Sequence, residues 1–312
     1  MSILSQPHYH NEEAAFAKLE SIVWPNGPVC PHCGGIEKIY KIKPNPEKRV
    51  RQGLHKCGQC KGQFTAKIGT VFEHSRVPLY KWFQAAFLLA SSKRGTSSNQ
   101  LSRTLEVTLK TAWFMSHRLR EAMRSGEFAP MGGNGKVVEA DETFIGHDKT
   151  KKPKGSKKGR GVHHKFKVLT LVERGGKAYS MVVDDLKTGT IVPILRKNIH
   201  RETKVMTDEA GQYVHLHCDF AHDFVSHGKG EYGRGEVHTN TIEGYFSIFK
   251  RGMKGVYQHC SERHLHRYMA EFDFRYNHRI ALGGDDKART EALLGGIVGK
   301  RLTYRDSFSE PA

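Results

Sequence analysis

The sequence predicts an α/β domain in the second half of the chain, preceded by a small cysteine-rich region and a helical segment. Three observations support this order. Two C-x-x-C pairs lie near the N-terminus, apolar residues recur at helical spacing from 78 to 124, and beyond a glycine-rich break at 131–135 they alternate as in strands. A chain of 312 residues is long enough for two or three domains, each with its own core.

The chain is strongly basic, with 50 Lys and Arg against 32 Asp and Glu and a formal charge of +18. This excess favours a polyanionic partner, of which nucleic acid is the most common. The longest apolar run, Trp82 to Ala90, is about half of what a membrane span requires, and residues 1–13 lack the pattern of a secretion signal. We therefore expect a cytoplasmic, nucleoid-associated protein with no membrane contact.

The cysteine pairs predict one structural zinc ion. The spacing suits a tetrahedral site of four thiolates, whereas disulfides are rare in a reducing compartment and a redox C-x-x-C would not come in duplicate. A region of this size has too little core to fold alone, so zinc should supply most of its stability. The predicted zinc ligands are Cys30, Cys33, Cys57 and Cys60.

The helical segment shows a helix-turn-helix pattern. A short helix opens at Ser98, a tight turn follows at 106–107, and Thr108 caps a longer helix that carries several basic residues. One interpretation is a helix that lies in a DNA groove; the alternative is a small helical bundle that bridges two domains. On the first interpretation the predicted DNA contacts are Lys110, Arg118 and Arg120.

Two aspartates follow from the strand pattern. Strands are predicted at 137–145, 166–172, 179–183 and 204–208, with a helix at 190–198 before the last of them. This order places Asp141 in the first strand and Asp208 at the end of the fourth, where a mixed sheet can bring them together.

The segment Val237–Gln258 has one polar and one aromatic face when it is drawn as a helix. The polar face carries Asn240, Glu243 and Lys250, which together can present a metal ligand and a phosphate contact. The alternative is an ordinary amphipathic helix with a solvated face. We also predict that the neighbouring Arg251 contacts DNA.

A basic run separates the first two predicted strands. Lys149 to Lys167 contains nine Lys or Arg in nineteen residues and no acidic residue. Such a run is usually a solvated loop, but its position beside Asp141 suggests that it binds phosphates. The predicted contacts are Lys157, Lys158 and Arg160, and neutralising the run should flatten the salt dependence of DNA binding.

Three motifs carry a family resemblance: V-E-A-D-E-T around Asp141, M-T-D-E around Asp208, and H-T-N-T-I-E-G-Y-F-S-I-F-K-R-G from His238. With them the chain resembles the DDE transposases of bacterial insertion sequences over roughly residues 25 to 285. More narrowly, it resembles insertion-sequence family fifteen-ninety-five (the XO-two-like group), whose members carry an N-terminal zinc ribbon. The resemblance implies an RNase H-like fold with the third metal ligand on a helix after the fourth strand.

The resemblance also implies an activity, that of a Mg-dependent polynucleotidyl transferase which cleaves DNA ends and transfers the strand. We expect two Mg²⁺ or Mn²⁺ ions, bridged by Asp141, with Asp208 and Glu243 each on one ion and Lys250 on a phosphate near the scissile bond. The third catalytic position in this group is often Asn, so Asn240 is the competing ligand. A carboxylate neutralises a cation better than an amide does, which favours Glu243.

The expected organisation has four parts: a zinc ribbon with an N-terminal helix at 1–72, a helix-turn-helix-like domain at 73–130, a catalytic domain at 135–285 and a C-terminal tail at 286–312. The expected partners are terminal inverted repeats, target DNA and further copies of the chain on paired ends. Two alternative functions stay open. One is a non-catalytic, domesticated DNA-binding protein, and the other is an RNase H-type nuclease that hydrolyses without joining.

Overall fold

The computed structural model describes residues 2–126, 129–146 and 164–304. The chain forms two compact units. The first combines the described residues up to Arg124 with those from Asp285 onward, and the second runs from Ser125 to Gly284. None of the described helices is long and apolar enough to cross a membrane.

The elements are numbered along the chain. The helices are α1 (Glu12–Val23), α2 (Leu79–Ser91), α3 (Ser98–Leu105), α4 (Leu109–Met123), α5 (Thr188–Asn198), α6 (Asn240–Gly252), α7 (Glu262–Asn277) and α8 (Asp286–Gly295). The strands are β1 (Ile39–Lys41), β2 (His55–Cys57), β3 (Gln63–Phe64), β4 (Val137–Ile145), β5 (Phe166–Glu173), β6 (Ala178–Val183), β7 (Lys204–Thr207), β8 (Ala221–Phe224), β9 (Gly233–Arg234) and β10 (Val237–His238).

The first unit contains a small antiparallel sheet in the order β1-β2-β3, with Phe64 buried beside two of the cysteines. The helix-turn-helix order is present as predicted: Ser97 caps α3, Glu106 turns the chain with a φ of 51°, and Thr108 caps α4. Side-chain oxygens at these caps accept backbone N–H groups that have no partner within the helix.

The predicted C-terminal tail at 286–312 is wrong over its first part. Asp286–Gly295 forms α8, which packs against α2 and α4 within the first unit. Asp285 caps this helix by accepting the Ala288 N–H, and Leu293 and Leu294 are fully buried. Only a few apolar residues serve this packing, so the short segment showed no clear periodicity.

The second unit is built on a five-stranded mixed sheet in the order β6-β5-β4-β7-β8. The strands β4, β5 and β6 are antiparallel neighbours, while β7 runs parallel to β4 and β8 parallel to β7. This is the strand order and direction of the RNase H-like fold that the resemblance implies. The fifth strand, β8, was not predicted.

Hydrophobic clusters cover both faces of this sheet. On one face Ile145, Val168 and Val172 pack with apolar residues of α6 and α7; on the other, Val138, Ala140, Leu169 and Leu171 pack with residues of α5. Side chains alternate between the faces along a strand. Asp141 therefore shares the α6 side of β4 with Glu139 and Ile145, while Glu142 points to the opposite side.

Candidate functional site

Asp141 of β4 lies near Asp208, the residue that directly follows β7. Glu139 of β4 pairs with Met206 of β7 in parallel register, and the two aspartates each lie two residues further along the chain. Burial, with the charge of Asp208 as the second cause, raises the pKa of Asp141 to about 7. The fold thus holds two carboxylates close together in a partly buried environment, where a bound cation would neutralise their charge.

A third carboxylate, Glu142, follows Asp141 in β4 and points to the other side of the strand. Glu142 accepts hydrogen bonds from Gln212 Nε2 at 3.0 Å and from the Tyr213 hydroxyl, both just after β7. Burial raises the pKa of Glu142, and the charge of Asp208 adds to the shift. The sequence analysis did not assign Glu142 to the site; its position directly after Asp141 was the available signal.

Hydrogen bonds to the fully buried carboxylate of Glu139 join helix α6 to strand β4. Its Oε2 accepts the Ile242 N–H at 2.8 Å, and its Oε1 accepts the Thr241 hydroxyl at 2.9 Å. The Arg174 guanidinium donates to Oε1 at 2.6 Å and to the His238 carbonyl at 2.7 Å. This connection was not predicted from the sequence. Glu139 lies two residues before Asp141 in β4, so its hydrogen bonds hold the start of α6 close to Asp141.

The side chain of Glu243 lies apart from the aspartates. It is about half exposed, with its Oε1 3.7 Å from His227 Nε2, and accepts the Thr239 hydroxyl at 3.1 Å. Within the described ranges, the four cysteines are the one group of at least three His, Cys, Asp or Glu residues whose ligand atoms lie within 4.8 Å of one another. Asn240, the first residue of α6, is also exposed.

Lys250 lies near the aspartate pair, at the end of α6. Its positive charge lowers the pKa of Asp141, against the larger effects of burial and of Asp208. The side chain is exposed, and its Nζ lies 5.5 Å from the centre of the Phe246 ring. Arg251 is exposed as well, but its guanidinium donates back to the carbonyl and hydroxyl oxygens of Ser247.

The aspartate pair fits a hard divalent cation. Carboxylate oxygens are the ligands that Mg²⁺ and Mn²⁺ prefer. Asp208 is partly exposed and uses one oxygen to accept the Ala210 N–H at 3.0 Å. Burial and, second, the charge of Asp208 raise the pKa of Asp141, and a bound cation would favour the charged carboxylate.

The cysteine cluster fits zinc. The Sγ atoms of Cys30 and Cys60 are 3.6 Å apart, and those of Cys33 and Cys57 are 3.7 Å apart. Four sulfurs that bind zinc tetrahedrally at about 2.3 Å are roughly 3.8 Å from each other. Backbone N–H groups, first that of Cys60, lower the pKa of Cys57 to about 7, whereas, against a hydrogen bond from the Gly35 backbone, burial and the neighbouring sulfurs raise the pKa of Cys33 to about 11. A bound zinc ion would favour the thiolate at both positions.

Two predicted DNA contacts are wrong, because Arg118 and Arg120 are buried with exposures of 6% and 1%. The Arg118 guanidinium donates to the carbonyl oxygens of Val71, Glu73 and Leu302 at 2.8–3.0 Å. Arg120 donates to the Ser116 hydroxyl at 2.9 Å. The C-terminal half of α4 is buried on all sides, so both arginines serve packing.

The other predicted DNA contacts have different outcomes. Lys110 is exposed near the start of α4, with its Nζ 4.5 Å from the centre of the Tyr304 ring. Lys157, Lys158 and Arg160 lie outside the described residues. At the end of the same basic run, Lys167 donates to the Asp184 carbonyl at 2.7 Å.

Comparisons with known proteins agree with the motifs. The model of the ISXO2-like transposase domain matches residues 132–277, and that of the transposase zinc-ribbon domain matches residues 10–63. An uncharacterized protein in transposable element ISH50 of Halobacterium salinarum is 30% identical over 284 residues, which cover 85% of this chain and 90% of that protein. An uncharacterized transposase-like protein of Haemophilus influenzae is 24% identical over 102 residues, 32% of this chain and 81% of its own.

Among solved structures, the Mos1 strand transfer complex aligns with 68% of this chain and 73% of its own at 13% identity. The TM-score of this alignment is 0.28. The chain belongs to the family of ISXO2-like transposases, with a zinc-ribbon domain at its N-terminal end.

Proposed function

We propose that the chain cleaves the ends of an insertion sequence and transfers the cut strand to target DNA, as a Mg-dependent polynucleotidyl transferase. The observation that carries this proposal is the pair of carboxylates, Asp141 and Asp208, on adjacent parallel strands, with a raised pKa at Asp141. Family membership agrees with the reaction class.

In this proposal Asp141 and Asp208 would hold the divalent cations. Bound ions of this kind stabilise negative charge on the attacking and leaving oxygens of a phosphodiester. Lys250 binds a phosphate beside the scissile bond, since its charge already acts on Asp141. Glu139 keeps α6, and with it Lys250, in a fixed position relative to the aspartates.

Glu243 is proposed as the third ligand. Its side chain is half exposed, and a change of rotamer that breaks its contacts with the Thr239 hydroxyl and His227 would turn it toward a cation. Asn240 lies at the start of the same helix and contacts either the metal or the DNA. Replacing each separately distinguishes them: Glu243→Gln should lower the cleavage rate by at least about 10²-fold and Asn240→Ala by less. The reverse order would make Asn240 the ligand.

DNA is the proposed macromolecular partner, through the helix-turn-helix with Lys110, through Arg251, and through the basic run with Lys157, Lys158 and Arg160. The reaction joins two ends to one target, so we propose a homo-oligomer on paired ends. The formal charge of +18 supports binding to a polyanion of this kind.

The decisive experiment incubates the purified chain with duplexes of its element's terminal repeats, a supercoiled target plasmid and Mg²⁺. Wild type should nick the ends and yield joined products, and Asp141→Asn should lose at least about 10³-fold in rate. The matched control is Asp223→Asn on β8, where a half-exposed aspartate pairs with Lys204 at 3.4 Å. Binding without cleavage would support the domesticated DNA-binding alternative, and cleavage without joining the nuclease.

A further inference from the structure

A cavity of about 390 Å³ opens beside the aspartate pair in the second unit. The end of β4 forms one wall, with Glu142, Thr143 and Ile145, and the segment that follows α6 forms another, with Met253 and Lys254. Thr143 lies two residues after Asp141 on the same side of the strand. Lys250, the proposed phosphate contact, also lines the cavity, so the cavity lies next to the place where the scissile phosphate is proposed to bind.

The lining of the cavity is divided by polarity. Ile145 and Met253 are buried apolar residues, with exposures of 7% and 5%. Lys165, Lys250 and Lys254 supply three positive charges around them. An apolar floor under a cationic rim suits a ligand with a flat apolar part and an anionic part, which describes a nucleotide.

Thr143 gives an independent sign of a missing ligand. The residue is 1% exposed, and within the described part of the chain no group lies within hydrogen-bonding distance of its Oγ1. A buried hydroxyl without a partner costs free energy, so such groups are rare in folded proteins. A polar atom of a ligand in this cavity would satisfy the hydroxyl.

The wall opposite β4 has an unusual backbone. After α6 the chain makes one turn of π-helix at Met253–Tyr257, and Gln258 then adopts φ 57° and ψ −56°. Such turns are rare and concentrate at functional sites. This turn places Met253 and Lys254 on the cavity.

We propose that this cavity binds one nucleotide of the DNA strand next to the scissile phosphate, with its base unstacked from the duplex. The base contacts Ile145 and Met253, the flanking phosphates contact Lys250 and Lys254, and Thr143 Oγ1 hydrogen-bonds to the base or sugar. The identification of the ligand as DNA rests on the proposed function. An unstacked base occupies a protein pocket in many enzymes that act on DNA.

Cys260 provides a probe, because it lines the cavity and forms no disulfide. The zinc-loaded full chain is alkylated with a maleimide in Ca²⁺ without Mg²⁺, and the rate at each cysteine is read by peptide mass spectrometry. The ligands are a thymidine hexamer and a hexamer of the same charge without bases. Cys218, which is exposed on a different loop, serves as the internal control.

The thymidine hexamer should slow alkylation of Cys260 by about five-fold or more, with little effect from the base-free hexamer, because the base fills the cavity. Thr143→Val keeps the shape of the side chain and should reduce this protection. Lys254→Ala should reduce it also, whereas Lys197→Ala, which removes an exposed lysine from α5, should not.

Equal alkylation of Cys260 with and without the thymidine hexamer would overturn the inference, and so would equal protection by the base-free hexamer. Binding in Ca²⁺ does not require catalysis. A chain that shows base-dependent protection and no cleavage of terminal repeats would therefore leave the cavity assignment intact and contradict only the proposed reaction.

Discussion

At the scale of single residues, the site depends on the burial of Asp141 beside Asp208. Exposed aspartates titrate near 4, whereas burial and the neighbouring charge raise the pKa of Asp141 to about 7. In the folded chain, burial and the nearby charge of Asp208 therefore disfavour the charged form of Asp141. Active sites commonly contain groups of this kind, because a bound cation or a substrate then supplies the missing interaction.

Our first prediction separates two basic residues of α4. Lys110→Ala should weaken binding to duplex DNA and lower the slope of log K against log salt by about 1, because an exposed phosphate contact is lost. Arg118→Ala should lower the free energy of unfolding by about 2–3 kcal/mol, because three carbonyl oxygens lose a charged donor. Filter binding at several salt concentrations and urea denaturation measure these effects. A folded, stable Arg118→Ala with a reduced salt slope would contradict the assignment.

The second prediction concerns Asp273 of α7, which accepts hydrogen bonds from the Tyr245 hydroxyl at 2.5 Å and from the Ser180 N–H at 2.8 Å. Burial raises its pKa to about 6. Between the unfolded pKa and this value the folded state binds more protons than the unfolded state, so stability falls as the pH rises.

From pH 5 to 7 the wild type should therefore lose about 1 kcal/mol of unfolding free energy relative to Asp273→Asn, which keeps an acceptor and does not titrate. Urea denaturation at both pH values measures the difference. Asp223→Asn, at a half-exposed position, should show the wild-type slope. Identical slopes for wild type and Asp273→Asn would contradict the prediction.

Some of these residues are visible in the sequence and others are not. Asp141 and Asp208 were predicted because the first lies within an alternating run typical of a strand and the second ends such a run. Arg118 and Arg120 were wrongly predicted to contact DNA, since a charged residue on a helix usually faces solvent and the packing that buries them is not local. Glu139 was missed for the same reason, because its partners Arg174 and Ile242 are distant in sequence.

At the scale of elements, the position of α6 is set by contacts at its first turn. The Glu139 carboxylate accepts the Ile242 N–H, as an anion does at the positive end of a helix. Because the same carboxylate binds Arg174, the end of β5, the start of α6 and the strand β4 are joined at one point.

The third prediction tests this connection. Glu139→Ala removes the acceptor of the Ile242 N–H and one of the acceptors of Arg174 and should cost about 3 kcal/mol of stability, whereas Glu139→Gln keeps an acceptor and should cost less. Cleavage of terminal repeats should fall in both variants. Urea denaturation and the cleavage assay provide the readouts. The control is Glu231→Ala, which removes a partly exposed pair and should cost less than about 1 kcal/mol. A stable, active Glu139→Ala would refute the role.

The fourth prediction concerns the zinc ribbon. Cys30→Ser should reduce bound zinc, measured by mass spectrometry of the metal, from one ion per chain to nearly none, because three thiolates hold the ion poorly. Hydrogen exchange should then show loss of protection in β2 and β3, since this small sheet has little core of its own. Cys218→Ser is the control and should retain zinc. Full protection in a zinc-free Cys30→Ser variant would contradict a structural role.

Some helices and strands were predicted from the sequence and others were not, as with the single residues. Strands β4 to β7 and helices α3 to α6 were predicted because their apolar spacing is regular over several turns or pleats. The last strand of the sheet, β8, reads A-H-D-F and is defined by pairing with β7, which no local pattern shows. The helix α8 was assigned to a tail because its packing depends on α2 and α4.

At the scale of the whole molecule, the chain combines a helical unit that contains the zinc ribbon with an RNase H-like unit that carries the proposed chemistry. The residues of the two units differ in the functions that they can serve. The first unit provides the cysteine site and the exposed start of α4, and the second provides the carboxylates and the lysines around the cavity. DNA is the partner that both units are proposed to share.

Binding of Mn²⁺ to the zinc-loaded chain, measured by calorimetry, tests the central claim most directly. Wild type should bind Mn²⁺, and Asp141→Asn and Asp208→Asn should each lose this binding by at least about ten-fold, because two opposed carboxylates are the core of the site. Asp223→Asn should bind as wild type does. Unchanged Mn²⁺ binding in Asp141→Asn would contradict the assignment of these aspartates as the metal site.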